Sequence, residues 1–586
     1  MTGSDDAPTT WDSSYDLVVL GSGAAGLTGA LHAALQGMSV LIAEKSDVWG
    51  GSAALSAGAI WVPGNAQMTA LGLPDSEEDA LRYLKTLTEG GIEESRLVHF
   101  LRSANRMLDH LGRSSHLRFE SLATFPDYNA YVDGSTLGGR ALEVRPMSGA
   151  DLGADFATMQ PPQPATLVFN RFMITVADAQ HILHAGLGPK LRVARDFVRH
   201  AARGRLRKKL GRDPYLTMGQ ALVGRLRLSL SDHGVPIWLN APATELITNG
   251  GRVTGVQLLR DGKPLRVQAH KGVLVATGGF DHDRALREQY GRQPFDPDWS
   301  SGHTDNTGDG IRLGLSIGAA LDEELMREAW WMPSTLVPNK SRPYIITIEK
   351  CLPHSIFVDQ DGRRFTNEAA NYSDIGRDTY AANEVNGRTI PYWFVFDAQF
   401  RKQFAVGPVM PAQLSPDRKL PPALAPGGGW LYRADSLDDL AAQIGTDAAV
   451  LRATVERFNG FARSGEDLDF HRGSSAYDVT FAPKHKPNSS LGELLKPPFY
   501  AIPVVPGDLG TKSGIVTDDG GRVLDETGAP IPGLYAAGNT TSSVMGISYP
   551  GAGATLAPAM TYGYLAAESA LLDNGERAAS EQSAGQ

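Results

Sequence analysis

Short apolar runs and helical periodicity alternate from the beginning of the chain. Residues 17–20 form an apolar run typical of a buried parallel strand. A stretch rich in Ala and Leu follows over residues 27–36, and Gly37 is placed to end this helix. A second apolar run, Val40–Ala43, completes the unit. This order predicts an α/β fold that opens with a parallel strand–helix–strand motif.

The turn between the first strand and the helix reads GSGAAG over residues 21–26, the GxGxxG pattern. Gly21 allows the tight turn, Gly23 lets the backbone approach a pyrophosphate, and Gly26 lets the helix pack on the sheet. The helix N-terminus offers free N–H groups to phosphates. Glu44 closes the second strand and can accept hydrogen bonds from ribose hydroxyls. Together these features predict a dinucleotide site.

The segment after the second strand indicates FAD rather than NAD. Small residues and hydroxyls between positions 50 and 58 suit a backbone that lies against the ribityl and isoalloxazine groups, a segment that a nicotinamide enzyme does not need there. Apolar strands ending in ATGG at 276–279 and AAGN at 536–539 are further flavoprotein signals. The predicted FAD-binding residues are Gly21, Gly23, Ala24, Ala25, Gly26, Glu44, Lys45, Gly51, Ser52, Ser56, Gly58, Ala276, Thr277, Gly278, Gly538, Asn539, Gly553, Thr555 and Leu556.

Aromatic content changes along the chain. Residues 296–505 carry more aromatic residues and fewer glycine-rich turns than their flanks, which indicates an inserted substrate domain. We therefore predict a Rossmann-like FAD-binding domain, made of residues 12–295 and 506–572, interrupted by an α+β substrate domain at 296–505. Residues 1–11 and 573–586 are expected to be flexible tails.

Composition and charge disfavour several classes of protein. The net charge of −10 is spread along the chain, so we expect no nucleic-acid partner. A single cysteine, Cys351, leaves no internal disulfide and no cysteine-rich metal site, and we expect no bound metal. The polar N-terminus and the lack of a long apolar run predict neither a signal peptide nor a membrane-spanning helix. The expected location is the cytoplasm.

One segment departs from this acidic character. Ten positions of residues 186–212 are Lys or Arg, against one acidic residue, Asp196. Apolar residues recur within the segment at helical spacing. A basic amphipathic helix on an acidic protein indicates either a peripheral contact with a membrane surface or a solvated insertion helix, and both interpretations stay open.

With these motifs assembled, the chain resembles the fumarate reductase/succinate dehydrogenase flavoprotein superfamily and, within it, the bacterial 3-ketosteroid Δ1-dehydrogenases. The resemblance covers about residues 13–572. The glycine motifs indicate only the superfamily. The resemblance to the steroid branch rests on FPDYNAY at 125–131, RRFTNEAANYSD at 363–374 and SYPGAG at 548–553.

The resemblance implies an enzyme of steroid degradation that removes two hydrogens across C1–C2 of a 3-oxosteroid A ring. Non-covalent FAD would accept the hydride at N5, and a quinone or another acceptor would take the electrons from it. The family motifs match Tyr128, Tyr372 and Tyr549 as catalytic tyrosines and Gly553 as a backbone N–H donor.

The chemistry is consistent with these residue types. Hydrogens next to a ketone become acidic only when the enolate is stabilised, a role that suits the Tyr549 hydroxyl and the Gly553 N–H. A tyrosine has an unperturbed pKa of about 10, so Tyr372 needs help to act as the base for the C2 proton, and a hydrogen bond from Tyr128 would give it. Two tyrosines stay open as alternatives for Tyr128 and Tyr372: Tyr131 and Tyr344, respectively.

Three other functions remain as alternatives. A 3-ketosteroid Δ4-(5α)-dehydrogenase differs only in the bond that it oxidises, and the pair of Tyr128 and Tyr372 favours C1–C2. A fumarate reductase-like enzyme needs paired cations for a dicarboxylate, but residues 511–514 and 548–551 contain no Arg or His. A non-enzymatic flavin-binding or steroid-carrier protein would not need the set of donors and base.

Overall fold

The computed structural model describes residues 10–168, 172–178 and 210–573. The α-helices of this described part are Ala24–Leu35, Gly51–Leu55, Ala66–Ala70, Glu77–Leu87, Glu94–Ser114, Met218–Asp232, Arg284–Tyr290, Asp309–Leu315, Tyr372–Asn386, Ala398–Gln403, Leu437–Ile444, Ala448–Ser464 and Leu556–Leu572. Short 3-10 turns occur at Gly149–Thr158, Pro164–Thr166, Pro297–Trp299, Leu325–Arg327, Glu349–Cys351, Asp417–Lys419 and Gly538–Thr540.

The larger sheet is built around the opening strand, Ser13–Leu20. This strand pairs in parallel with Val40–Ala43 on one side and with Lys263–Val275 on the other. The strand order across the sheet is Ile237–Trp238, Val40–Ala43, Ser13–Leu20, Lys263–Val275, Arg252–Arg260 and Ala243–Asn249. Pro530–Ala536 also pairs with Lys263–Val275 and carries Arg522–Leu524 at its other edge.

The opening unit is the predicted strand–helix–strand motif. The last four residues of its first strand are buried, because helices and loops cover both faces of a parallel sheet. Its helix begins at Ala24, three residues before the predicted start, since Ala24, Ala25 and Gly26 are small enough to lie against the sheet. The predicted α/β fold class is confirmed.

A second, mostly antiparallel sheet is organised by the long strand Phe499–Thr511. The strand order is Tyr344–Ile345, Ala329–Thr335, Phe499–Thr511, Tyr392–Asp397 and Ser355–Val358, with Tyr432–Ala434 also paired to Phe499–Thr511. The predicted boundary between residues 505 and 506 falls inside this long strand, which therefore runs from the predicted substrate domain into the predicted FAD-binding domain. The domain limits themselves stay a prediction.

Three smaller sheets complete the described part of the chain. They are formed by Ile60–Trp61, Ala141–Val144 and Phe119–Ser121; by Met147–Ser148 and Tyr215–Leu216; and by Leu167–Val168 and Phe172–Met173. The three-stranded sheet matters for the site, because it supports the loop that contains the FPDY motif.

Within the described ranges, every helix is too short or too polar to cross a membrane. The basic segment 186–212 lies outside the described residues except for its last three positions. Its predicted helix and its membrane contact therefore stay predictions.

Candidate active site

A cavity of about 780 Å³ lies where the two sheets meet. One side is formed by the GSGAAG loop, by residues between 43 and 59, and by the ends of the strands that precede 276–278 and 537–539. The opposite side is formed by aromatic and aliphatic residues between 330 and 352 and between 403 and 411. The cavity therefore joins the predicted nucleotide site to the predicted substrate domain.

Eighteen of the nineteen predicted FAD-binding residues line this cavity. The exception is Gly26, which is not in the cavity wall and so does not contact a ligand there. A Cβ atom at Gly26 would lie 2.1 Å from the Gly21 carbonyl oxygen. Gly26 thus provides the close helix–strand contact that its place in the motif predicts.

The Glu44 carboxylate is fixed at the edge of the cavity. Its Oε2 accepts hydrogen bonds from the backbone N–H and the hydroxyl of Ser22, at 3.0 and 2.7 Å, and its Oε1 accepts one from the Ser46 N–H at 3.0 Å. The Ser22 hydroxyl also accepts a hydrogen bond from the Gly50 N–H at 3.0 Å. These bonds hold the carboxylate between the two glycine loops. Sequence reasoning missed Ser22, although a serine between the motif glycines was a usable signal.

The groups around this end of the cavity fit FAD. The helix Ala24–Leu35 starts at the cavity, and its N-cap, Gly23, has no side chain to occupy the first N–H groups, which leaves them for phosphates. The Ser52 hydroxyl accepts two protein hydrogen bonds, so its own hydrogen is left to donate to a ligand. Lys45 contributes a cation that is paired with Asp309 at 2.6 Å.

Three predicted catalytic tyrosines meet at the other end of the cavity. The hydroxyl oxygens of Tyr128 and Tyr372 are 2.8 Å apart. The ring of Tyr549 lies 5.2 Å from each of the other two rings, measured between centroids. All three line the cavity and are at most 6% exposed. The structure therefore brings together three residues that are separated by hundreds of positions in the sequence.

Burial determines the acidity of this cluster. Desolvation raises the pKa of Tyr128 and of Tyr372 well above 10. It also raises the pKa of Tyr549, where hydrogen bonds with Tyr372 and Thr555 offset part of the rise. Each of the three tyrosines is consequently neutral in the protein alone, and a phenolate at Tyr372 requires donors. The Tyr128 hydroxyl, 2.8 Å from that of Tyr372, is placed to be one of them.

The position of Tyr372 in the fold also favours a phenolate. Tyr372 is the first residue of the helix Tyr372–Asn386, where the helix dipole stabilises negative charge. Asn371 caps this helix by accepting hydrogen bonds from the Ser373 and Asp374 N–H groups. The Asn371 amide also donates to the side-chain oxygen of Asn129, at 3.1 Å. This bond ties the Tyr372 helix to the loop that carries Tyr128.

Hydrogen bonds with three other segments fix the FPDY loop. The Asp127 carboxylate accepts hydrogen bonds from Trp61 Nε1 and from Arg140, both at 2.8 Å. The Tyr128 N–H donates to the Pro550 carbonyl at 3.0 Å, next to Tyr549. This bond joins the loop to the SYPGAG turn and so fixes the position of Tyr128 relative to Tyr549.

The SYPGAG turn requires glycine at its end. Gly553 has a φ of +97°, and a Cβ atom there would lie 2.4 Å from the Ala59 carbonyl oxygen. No backbone acceptor within the described ranges takes the Gly553 N–H. Gly553 lines the cavity a few residues after Tyr549 and just before the helix Leu556–Leu572. Its N–H is therefore available for a ligand oxygen.

Lys512 is a second structural support that the sequence analysis did not assign. Its ammonium donates to the carbonyls of Ile547 and Ser548, at 2.9 and 2.8 Å, directly before Tyr549. It also lies 4.2 Å from the ring centre of Trp330, whose ring is 5.1 Å from that of Tyr549. Burial lowers the pKa of Lys512 to about 7. A single charge inside the otherwise uncharged stretch 509–517 was the available signal.

The two alternative tyrosines lie elsewhere. Tyr131 is 75% exposed, and its hydroxyl reaches Asn129 instead of Tyr372. Tyr344 lines the cavity, but the charge that acts on it is that of Glu349, and no hydrogen bond in the described part joins it to Tyr128. A further tyrosine, Tyr477, packs on Tyr128 at 4.7 Å between ring centres and also lines the cavity. Sequence reasoning gave no signal for Tyr477.

The substrate side of the cavity is almost entirely apolar. Its wall contains Phe125, Phe481, Met332, Ile348, Leu352 and Met410. Among the described residues, the Lys, Arg and His side chains in the cavity wall are Lys45 and His303, and both belong to the nucleotide side. The substrate side is therefore suited to a flat, uncharged hydrocarbon framework with a few polar atoms.

Comparisons with known proteins show which family the chain belongs to. The sequence model of a family described as FAD binding domain matches residues 16–556. A 3-oxosteroid 1-dehydrogenase of Mycobacterium tuberculosis is 39% identical over 94% of this chain and 97% of the relative. A 4-oxocyclohexanecarboxylate 2-dehydrogenase of Sinomonas cyclohexanicum is 36% identical over 97% and 96% of the two chains.

A solved structure is similar over nearly the whole fold. It is the crystal structure of a 3-ketosteroid Δ1-dehydrogenase from Sterolibacterium denitrificans in complex with 1,4-androstadiene-3,17-dione. The TM-score is 0.91 at 40% sequence identity, and the match covers 95% of this chain and 100% of the other.

Proposed function

Because the chain belongs to the FAD-binding family of the 3-oxosteroid 1-dehydrogenases, we propose that it catalyses the 1,2-desaturation of 3-ketosteroids. The family membership and the FAD that the glycine motifs predict are thereby confirmed. The observation that carries the proposal is the contact between the Tyr128 and Tyr372 hydroxyls at 2.8 Å, beside Tyr549, in the wall of an apolar cavity.

The positions of these residues support the roles that the motifs imply. The Tyr549 hydroxyl and the Gly553 N–H stabilise the enolate oxygen that develops at C3. Tyr372 acts in its ionised form, after its phenolic proton has passed to solvent, and takes the C2 proton to become a phenol again. The Tyr128 hydroxyl donates a hydrogen bond that stabilises this phenolate beforehand. FAD, when bound, supplies the acceptor for the hydride from C1. The three tyrosines are buried in a mostly apolar wall, where the low polarity strengthens each of these interactions.

Two relatives suggest different substrates, and the cavity favours one of them. The Sinomonas cyclohexanicum relative is named for a keto acid, whereas the Mycobacterium tuberculosis relative is named for a steroid. A carboxylate buried away from water needs a cation or several donors. The described substrate wall contains apolar side chains and no Lys, Arg or His. This supports an uncharged steroid as the substrate.

The proposal extends to the electron acceptor and to the membrane. Electrons leave the reduced flavin for a quinone or another acceptor, because the reaction consumes the oxidised flavin at each turnover. The basic segment 186–212 supports a peripheral contact with anionic lipid, where such acceptors dissolve. Sedimentation with anionic vesicles at low salt tests this contact, and full recovery of the protein in the supernatant would refute it.

The test of the proposed reaction is an anaerobic titration of the FAD-bound protein with 4-androstene-3,17-dione, followed by product analysis. Bleaching of the flavin absorbance together with a 1,4-diene product is the expected result. Bleaching only with a saturated 5α-3-ketosteroid would instead identify a Δ4-(5α)-dehydrogenase. Bleaching only with 4-oxocyclohexanecarboxylate would identify a keto-acid dehydrogenase.

A further inference from the structure

The substrate side of the cavity contains one carboxyl group within the described residues, that of Glu349. We infer that Glu349 is a specificity-determining residue that makes the cavity accept neutral steroid ketones and reject ketones that bear a carboxylate. The inference rests on the proposed function and narrows its substrate class.

Glu349 is fixed in the cavity wall. It begins the 3-10 turn Glu349–Cys351 and is 8% exposed. The backbone N–H groups of Glu349 itself, Ile348, Gly407 and Thr347 lie close enough to its carboxyl group to favour the charged form. They come from both segments of the substrate wall, so the buried carboxyl group is surrounded by the wall on two sides.

Within the described part of the chain, the substrate wall contains no Lys, Arg or His side chain to pair with this carboxylate. Tyr344 also lines this wall, and its pKa is raised first by burial and then by the charge of Glu349. The neighbouring Lys350 turns away, because its ammonium contacts the carbonyls of Glu368 and Ala369 and faces the ring of Tyr477 at 5.6 Å. A carboxylate on the substrate would therefore meet a negative charge in a medium of low dielectric, where repulsion is strong.

Glu349 also has a structural role in the wall, and the experiment must separate this role from the effect of its charge. Glu349→Gln has the same shape and keeps one side-chain oxygen to accept backbone N–H groups, but it has no charge. A matched control is Glu143→Gln. Glu143 is a buried carboxyl group with a pKa that burial also raises to about 7, but it does not line the cavity.

The test compares two steroids that share the reacting A ring: 4-androstene-3,17-dione and 3-oxo-4-androstene-17β-carboxylate. At pH 8.5, we expect Glu349→Gln to raise kcat/KM for the carboxylate about tenfold or more, with kcat/KM for the dione within about twofold of wild type. Glu143→Gln should leave the ratio of the two values at that of wild type. An unchanged ratio in Glu349→Gln, with the dione still oxidised, would overturn the inference and leave the proposed function standing.

The pH dependence of the wild-type protein provides a second, independent test of the inference. Burial raises the pKa of Glu349 to about 7, so the group loses its charge as the pH falls from 8.5 to 6. A steroid carboxylate, with a pKa of about 4–5, stays ionised over this range. The ratio of kcat/KM for carboxylate over dione should rise several-fold towards pH 6. A flat ratio would contradict the inference, and failure of wild type to oxidise the dione at any pH would refute the proposed function instead.

Discussion

Replacing Tyr128 by phenylalanine tests the central feature of the site, the hydrogen bond between the Tyr128 and Tyr372 hydroxyls. The substitution removes one oxygen atom and keeps the ring, which packs on Tyr477 and Tyr549. Burial already raises the pKa of Tyr372 well above 10, so the phenolate depends on the donors around it. Removing one donor should therefore raise the barrier to proton abstraction without emptying the cavity.

The size of the effect follows from the charge on the acceptor. A hydrogen bond to a charged group contributes about 1.5–3 kcal/mol. At about 1.4 kcal/mol per factor of ten, its loss should lower kcat about 10- to 150-fold. The same free energy, lost from the phenolate form, should move the pKa of Tyr372 upward by about 1–2 units, so the rising limb of the pH–rate profile, which reports ionisation of this base, should shift to higher pH. KM should change little, because Tyr128 acts through Tyr372.

The assay is the rate of flavin bleaching in single-turnover mixing with 4-androstene-3,17-dione between pH 6 and 10. Tyr477→Phe is the matched control, because Tyr477 is equally buried and lines the same cavity, while the hydroxyl that contacts Tyr372 at 2.8 Å is that of Tyr128. A rate constant for bleaching within about twofold of wild type, with an unshifted pH profile, would refute the assigned role. Equal losses in Tyr128→Phe and Tyr477→Phe would point to packing rather than to proton transfer.

Two further predictions concern the supports of the site. Ser22→Ala removes two hydrogen bonds of the Ser22 hydroxyl, one to Glu44 and one from the Gly50 N–H. Their loss should lower the free energy of unfolding by about 2 kcal/mol, which thermal melts would measure. It should also weaken FAD retention, which the rate of flavin release would measure. Unchanged melting with and without FAD would contradict this. Burial lowers the pKa of Lys512 in the folded protein to about 7. Between pH 7 and 10 the unfolded chain therefore binds more protons at this group than the folded protein does. The contribution of Lys512 to the free energy of unfolding consequently rises with pH over this range. Lys512→Met should flatten that rise, which is at most about 1.4 kcal/mol per pH unit, in denaturant titrations from pH 7 to 10.

The nucleotide side of the cavity could be predicted from the sequence because its determinants are local. A strand, a glycine turn and a helix occupy about 25 consecutive residues, and the physical requirement for each glycine is met within that stretch. Gly26 shows the limit of a motif list. It belongs to the pattern, but its contribution is to the packing of helix on strand, so it does not line the cavity.

The substrate side could be predicted only through the family motifs. Tyr128, Tyr372 and Tyr549 have no periodicity that links them, and the bonds that bring them together cross the whole chain. Tyr477, Lys512 and Glu349 had no motif to mark them, although the last two are charged residues in apolar surroundings. Burial of a charged residue depends on tertiary packing, which a single sequence does not express.

The hydrogen bonds between segments show how the three tyrosines can be buried and yet held at defined distances from one another. Each tyrosine is attached to a neighbour's segment and not only to its own: Asn371 bonds to Asn129, and the Tyr128 N–H bonds to the Pro550 carbonyl. Such cross-links fix the distances between the hydroxyls while the apolar wall removes water. Removing water makes an isolated phenolate costly, but it also strengthens the hydrogen bonds that a neighbouring hydroxyl donates to it. In the proposed reaction, Tyr372 can act as a base despite its raised pKa because the donor to its phenolate, the Tyr128 hydroxyl, is held in place before the reaction begins.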